Sequence, residues 1–266
     1  MRGMIAALAF MTLAACTREP APPAYNVEEK SIADLRGDLE SGTVTSEQLV
    51  NAYLARIAAI DDAGPTLNAV LALNPDAVAQ ARALDLERAT GRVRGPLHGI
   101  PVLIKDNIES AENPTTAGSL ALAHNLTARD APLVARLRAA GAIILGKTNL
   151  SEWANIRSSN SSSGWSAVGG LTRNPYALDR NACGSSSGSG AAAAASLAAI
   201  AIGTETDGSI ICPAAVNGLV GIKPTVGLVS RTYVVPISHS QDTPGPMGRS
   251  VADVAATLAA IAGSDP

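Results

Sequence analysis

At 266 residues, with 47% hydrophobic, 16% charged and 3% aromatic side chains, the chain is long enough for a sizeable core, one that small aliphatic residues must fill. A formal net charge of −3 with no basic cluster removes nucleic acid from the partner classes. His98, His124 and His239 are far apart and no cysteine pair has ligand spacing, so no metal or other cofactor is expected.

The chain opens on a targeting segment. Arg2 supplies a positive n-region, Met4 to Ala15 is apolar, and Leu13-Ala14-Ala15-Cys16 follows. The apolar run is short of the ~20 residues a membrane-spanning helix needs, so residues 1–15 read as an export signal. Small residues before Cys16 resemble a bacterial lipoprotein cleavage box, which would make Cys16 the lipid-bearing first residue and the membrane a partner through a lipid anchor. An ordinary signal peptide with an incidental cysteine is the alternative. Residues 16–30, with Pro20, Pro22 and Pro23, read as a stiff tether to a domain over residues 31–266. That domain is expected outside the cytoplasm, facing the periplasm or the cell exterior.

Thr45-Ser46-Glu47-Gln48 has the pattern of a capping box, and Leu49, Val50, Tyr53, Leu54, Ile57 and Ile60 recur at helical spacing behind it. Asn74-Pro75 opens a second helix that runs to Gly91. Gly99 to Ile104 is an apolar run that predicts a buried strand delivering Lys105 at its end, ahead of Asp106 and Asn107. Pro132 to Ala140, then Gly141, then Ala142 to Leu145 predict helix, glycine cap and strand. Ser158 to Gly170 reads as a loop, Ala191 to Ala199 as a helix, Ile200 to Gly203 as a strand, and Ser250 as the cap of a last helix ending near Gly263. Helices alternating with short buried strands give an α/β fold, a layered sheet with helices on both faces.

One match misleads. Gly141 to Thr148 fits the phosphate-loop pattern G-x-x-x-x-G-K-[ST], but its variable positions are Ala-Ile-Ile-Leu, a strand, and a helix precedes them. The chemistry points instead to two serines on small-residue turns, Ser185 in Cys183-Gly184-Ser185-Ser186-Ser187-Gly188-Ser189-Gly190 and Ser209 in Thr204-Glu205-Thr206-Asp207-Gly208-Ser209-Ile210. Each turn leads into a helical segment, whose unpaired N–H groups favour developing negative charge. A serine nucleophile needs a base. No histidine is near in sequence, and Lys105, held neutral by burial, is the leading candidate. Cys183 and Cys212 each lie close to one of these serines; spacing alone leaves both a bridge and two thiols open, and two free buried thiols are expected, because a bridge would clamp turns that must admit substrate.

Gly99 to Asp106, Cys183 to Gly190, Asp207 to Ile210 and Gly221-Ile222-Lys223-Pro224-Thr225 together resemble the amidase signature family, as do Thr115 to Ser119 and Gly141 to Leu150. Gly203 to Ser209 and Ser238 to Thr243 most resemble its peptide amidase branch, which hydrolyses carboxy-terminal carboxamides of peptides. The resemblance implies the amidase signature fold, with a mixed central β-sheet covered by helices. It also implies a Ser–cisSer–Lys triad with Ser209 as nucleophile, Ser185 as bridging serine after a cis Gly184–Ser185 bond, and Lys105 as base. Backbone N–H groups of Thr206, Asp207, Gly208 and Ser209 would form the oxyanion hole. Arg231, Asp242 and the Ser158 to Ser163 loop are expected to support the site and line its pocket. The substrate is then a small-molecule or peptide amide, and no cofactor is called for.

The family's domain continues past the segment that ends here at Pro266, so the chain is expected to be truncated after the signature region, with its C-terminal part missing. Three outcomes compete: an active amidase completed by another chain or by oligomerisation, a remnant with little activity, or a membrane-tethered binding protein. The family's cytoplasmic branch that serves transfer-RNA amidotransferases is disfavoured by the export signal.

Overall fold

The computed structural model describes residues 25–263. The expected export signal, Cys16, Pro20, Pro22 and Pro23 lie outside the described residues. The expected tether boundary is corrected: by Tyr25 the chain is already docked. Val27 is buried, Glu29 N–H donates to Ser196 Oγ at 3.0 Å, and Lys30 Nζ pairs with Asp38 Oδ2 at 2.6 Å. An apolar side chain, a backbone N–H and an ammonium with partners hold Tyr25–Lys30 on the body.

Ser31 caps α1 (Ile32–Glu40), and α2 (Ser46–Ile60) begins with the reciprocal capping box of Thr45 and Gln48. Its buried stripe, Leu49, Val50, Tyr53 and Ile57, is the one its periodicity predicts. Then follow β1 (Val70–Leu73) and α3 (Ala77–Ala89), which starts after Asn74-Pro75 rather than on it. β2 (Pro101–Lys105), α4 (Pro132–Ala139) and β3 (Ile143–Thr148) come next, so the apparent phosphate loop is a strand that includes Lys147. Within the expected Ser158–Gly170 loop lies β4 (Trp165–Ser166), paired with β5 (Gly170–Leu171), and a second small ribbon joins β6 (Arg173–Asn174) to β7 (Ala177–Asn181). The remaining elements are α5 (Ser187–Ala194), β8 (Ile200–Glu205), α6 (Ile211–Val216), β9 (Val220–Gly221), β10 (Thr243–Gly248) and α7 (Val251–Ile261), the last capped by Ser250.

Six strands form the central sheet in the order β1-β3-β2-β8-β10-β9. β2 runs parallel to both β3 and β8, and the outer pairings are antiparallel, so the sheet is mixed. Every residue of β2 is buried, as a parallel strand between two others requires. Helices flank the sheet: α5 lies against β2, β3, β8 and β10, while α4 and α7 pack on each other and on β3 and β10. Because β2 and β8 are parallel and in register at Ile104 and Ile202, their carboxyl ends bring Lys105 and Glu205 to one edge. Such edges are where open α/β sheets bind ligands. Among the described residues no helix is long and apolar enough to cross a membrane.

α5 begins four residues before the expected start at Ala191, inside the serine and glycine run. All eight of its residues are buried, and its serines find partners: Ser189 Oγ donates to Ile202 O at 3.0 Å and lies 2.6 Å from Thr148 Oγ1. Small residues are required by the approach to β3. A Cβ on Gly188 would collide with Ala69 O and stand 2.5 Å from Asn149 N. Gly188→Ala is therefore expected to cost about 1–3 kcal/mol or more and to lower the thermal midpoint by several degrees in calorimetry; an unchanged midpoint would contradict this close approach.

Candidate active site

Lys105 ends the central strand with its Nζ fully buried, 2.8 Å from Ser185 Oγ, 2.8 Å from Thr204 Oγ1 and 3.3 Å from Thr204 O. Burial pushes its ammonium down to about 7, against the opposing attraction of the Glu205 and Asp242 carboxylates. A neutral amine has two hydrogens and one lone pair. The two oxygens of Thr204 take the hydrogens, which leaves the lone pair for the Ser185 O–H. Asn107 Nδ2 donates to the same Thr204 Oγ1 at 3.0 Å and fixes that acceptor.

Ser185 follows a cis peptide bond from Gly184. Its carbonyl accepts from Ser151 N–H at 3.0 Å, and a Cβ on Gly184 would collide with Ser151 Oγ, so glycine is needed for this packing. The next residue connects the two serine turns: Ser186 N–H donates to Ser209 O at 3.1 Å, while Ser186 Oγ donates to Thr204 O at 3.0 Å and accepts from Thr204 N–H at 3.2 Å. Ser209 is 8% exposed, and its hydroxyl has no hydrogen-bond partner among the described residues. The structure thus brings Lys105 and Ser185 into contact and sets the Ser209 turn against the Ser185 turn.

Two expectations about this region need correction. Gly208 N–H is not free to bind an oxyanion, because it donates to Glu205 Oε1 at 2.9 Å; Ile210 and Ile211 N–H donate to Glu205 Oε2 at 2.6 and 2.9 Å. The buried carboxylate has drawn in the amides of the turn that leads into α6, where unpaired N–H groups need acceptors. The second correction is that Cys183 and Cys212 form a disulfide, with Cα atoms 5.9 Å apart. The packing of α5 against α6 brings the cysteines within bonding reach. The expected objection to a bridge fails because the substrate-sized cavity is walled by other residues.

That cavity, about 420 Å³, is lined by Asn107, Thr204, Thr206, Arg231, Val235 and Asp242 among others. It reaches the partners of Lys105, although neither Ser185 nor Ser209 forms part of its described wall. Asp242 joins the wall to the Ser209 turn: its Oδ1 accepts from Thr206 Oγ1 at 2.6 Å and its Oδ2 accepts from Ile237 and Ser238 N–H at 2.7 and 2.9 Å. Arg231 Nη1 donates to the His239 carbonyl, and both residues line the cavity. The Ser158 to Ser163 segment, expected to line it, does not; its Ser163 contacts Asn155 and Asn181 instead.

Lys147, the lysine of the apparent phosphate loop, is buried in a strand. It donates to Ile108 O and to Thr115 Oγ1 (3.0 Å) and lies 3.5 Å from Asp106 Oδ1, so its charge is used within the fold. His98 is likewise internal, with Nε2 on Leu84 O at 3.0 Å and Nδ1 accepting from Arg94 N–H at 3.2 Å. Sequence reasoning missed Thr204 and Glu205. Their signal was present in Thr204-Glu205-Thr206-Asp207-Gly208, where a carboxylate three positions before a glycine turn can cap the amides that follow.

A family model described as Amidase matches residues 48–266. The chain belongs to the amidase family. Among solved amidase structures, the native peptide amidase of Stenotrophomonas maltophilia is 62% identical with a TM-score of 0.88, over 90% of this chain and 49% of that one. An amidase family protein from Bacillus anthracis is 42% identical with a TM-score of 0.87, over 90% of this chain and 48% of that one. Within the same family, a glutamyl-tRNA(Gln) amidotransferase component from Salinispora arenicola is 45% identical over 237 residues, 89% of this chain and 46% of its own length. The resemblance to peptide amidase read from the sequence is borne out at this level. The chain spans about half the length of the curated relatives it matches.

Proposed function

We propose that this chain hydrolyses carboxamides, carboxy-terminal peptide amides among them, to a carboxylate and ammonia through a relay from Ser209 to Ser185 to Lys105. The observation that carries the reading is the buried Lys105 amine, brought down to about 7, in contact with Ser185 Oγ at 2.8 Å. In the first step the Lys105 lone pair takes the Ser185 proton, Ser185 takes that of Ser209, and Ser209 Oγ attacks the amide carbonyl. The oxyanion meets the N–H groups of Thr206, Asp207 and Ser209, the members of the expected set not spent on Glu205. Removal of one such donor in a serine hydrolase costs ~10²–10³ in rate. Ser185 then returns a proton to the departing ammonia, and water repeats the path to free the acid.

The test is direct. The purified chain, given an N-acyl peptide amide, is expected to release ammonia and free carboxylate in equal amounts. A folded chain that releases none overturns the reading and leaves a tethered binding protein, or a protein that works only with a complementing chain or as an oligomer.

Export with a lipid on Cys16 is part of the same proposal. What supports it is the composition of residues 1–16 together with the Cys183–Cys212 disulfide, since such bonds persist in oxidising compartments. Cys16→Ser is expected to move the chain from the membrane fraction to the soluble one, and retention in the membrane would count against the anchor.

A further inference from the structure

We propose that Cys183 and Cys212 are positioning residues for this reaction, their disulfide holding the Ser185 turn and the Ser209 turn in the relation that the hydrogen relay requires. The proposal rests on the reading of Ser209 as nucleophile. Cys183 lies two residues before Ser185 and Cys212 three after Ser209, so the covalent link spans the pair of turns.

The anchors of each turn show why a link is needed. Ser185 is fixed by Lys105 and by Ser151, and the Ser209 turn by the Glu205 carboxylate. The Lys105 amine also reaches Thr204 at the start of the Ser209 turn, whereas Ser151 and Glu205 each secure one turn without reference to the other. The hydrogen bonds that join the two are Ser186 N–H to Ser209 O at 3.1 Å, the pair between Ser186 Oγ and the Thr204 backbone at 3.0 and 3.2 Å, and Asn217 Nδ2 to Ala182 O at 3.1 Å beyond the far end of α6; the disulfide adds a covalent tie between the segments that flank the two serines. With no hydrogen-bond partner among the described residues, the Ser209 hydroxyl is placed by its backbone, hence by these ties.

Cys183 also sits at φ +57, a left-handed conformation that is unfavourable for a residue other than glycine. Release of its side chain would let the segment before Ser185 relax. Neither cysteine is in the cavity wall, so the bridge holds the serines without narrowing the entrance. Both cysteines are half-buried, within reach of reagents.

A misplacement of about 1 Å costs a reaction of this type on the order of 10²-fold, so loss of the bridge is expected to slow Ser209 chemistry roughly tenfold to hundredfold. The full chain is reduced with a phosphine, and the rate of Ser209 sulfonylation by a sulfonyl fluoride is followed by mass, beside kcat and KM for ammonia release and the circular dichroism. Expected are slower sulfonylation and lower kcat, with KM and dichroism held, and recovery on reoxidation with oxidised glutathione. A Cys183→Ser, Cys212→Ser double variant should match the reduced chain. A folded reduced chain or folded double variant that labels at the oxidised rate overturns the proposal. Unfolding of both overturns it too, since the bridge would then serve the fold alone. If the oxidised chain labels at Ser209, with the dependence on the bridge, but releases no ammonia, the amidase reading fails and the positioning role stands. No labelling of the oxidised chain at Ser209 overturns both.

Discussion

Ser209→Ala is expected to lower ammonia release from a peptide amide by at least about 10⁴-fold, with stability changed by no more than about 0.5 kcal/mol. The combination is specific to this serine. Its hydroxyl has no hydrogen-bond partner among the described residues, so its removal leaves no orphaned donor or acceptor and only a small change in volume. The serine's backbone contribution, the carbonyl that accepts from Ser186 N–H, survives the substitution. A nucleophile that contributes nothing to the fold is what the proposed chemistry calls for, because its proton is then left for Ser185 and its oxygen for the substrate carbon. The measurement is a coupled ammonia assay beside urea denaturation of the same preparation. Residual turnover within tenfold of the parent would remove Ser209 from the mechanism; a large drop in stability would show that the hydroxyl has a structural partner instead.

The neighbouring serine would behave differently. Ser185 Oγ is the partner of a fully buried amine, and its loss leaves that amine one contact short in a place water does not reach. In the proposed relay, function and fold are therefore separable at Ser209 and joined at Ser185, a consequence of where the chain puts its buried amine.

How much of this could be read from the sequence follows from the range of the interactions involved. The strand that delivers Lys105 was legible because a strand buried on both faces must be continuously apolar, and Pro101–Lys105 interrupts that run only at its last residue. The same logic dismissed the phosphate-loop match at Gly141–Thr148, where Lys147 proves to be part of β3. The caps at Thr45 and Ser250 are local and were visible for that reason. What the sequence hid are contacts set by packing. The start of α5 was hidden because a serine and glycine run resembles a linker until a neighbouring strand demands small residues, as Gly188 shows against Ala69 and Asn149. The role of Glu205 depends on where its turn points, and the disulfide depends on a Cα separation that a spacing of residues along the chain does not encode. The docking of Tyr25–Lys30 was missed because its partners, Asp38 and Ser196, are supplied by the folded body.

Lys105→Met tests the base, and its effect should appear in two pH dependences at once. The proposed relay needs the neutral amine, so the parent's kcat/KM, which reports the free enzyme, is expected to rise with pH through about 7 and then level off. Methionine keeps much of the volume and removes the base. Turnover should fall about 10³-fold or more, and the limb near pH 7 should vanish from whatever activity remains. Stability gives the second dependence. The folded amine has been brought from its ordinary 10.5 down to about 7, so between those values the unfolded chain binds a proton that the folded chain does not. Stability contributed through this group must then increase as pH rises across that window, and the cost of burying the ammonium is fully present below about pH 7. The methionine variant lacks this slope, although the Ser185 and Thr204 oxygens lose their partner and offset part of the relief at low pH. Urea denaturation of both proteins at pH 6 and pH 9 isolates the contribution, since other titrating groups are common to the two and cancel in the difference. A variant that keeps the parent's pH–rate limb would assign the proton to another group, and a parent whose stability relative to the variant fails to rise between those pH values would mean that the amine is charged in the folded state and cannot act as the base.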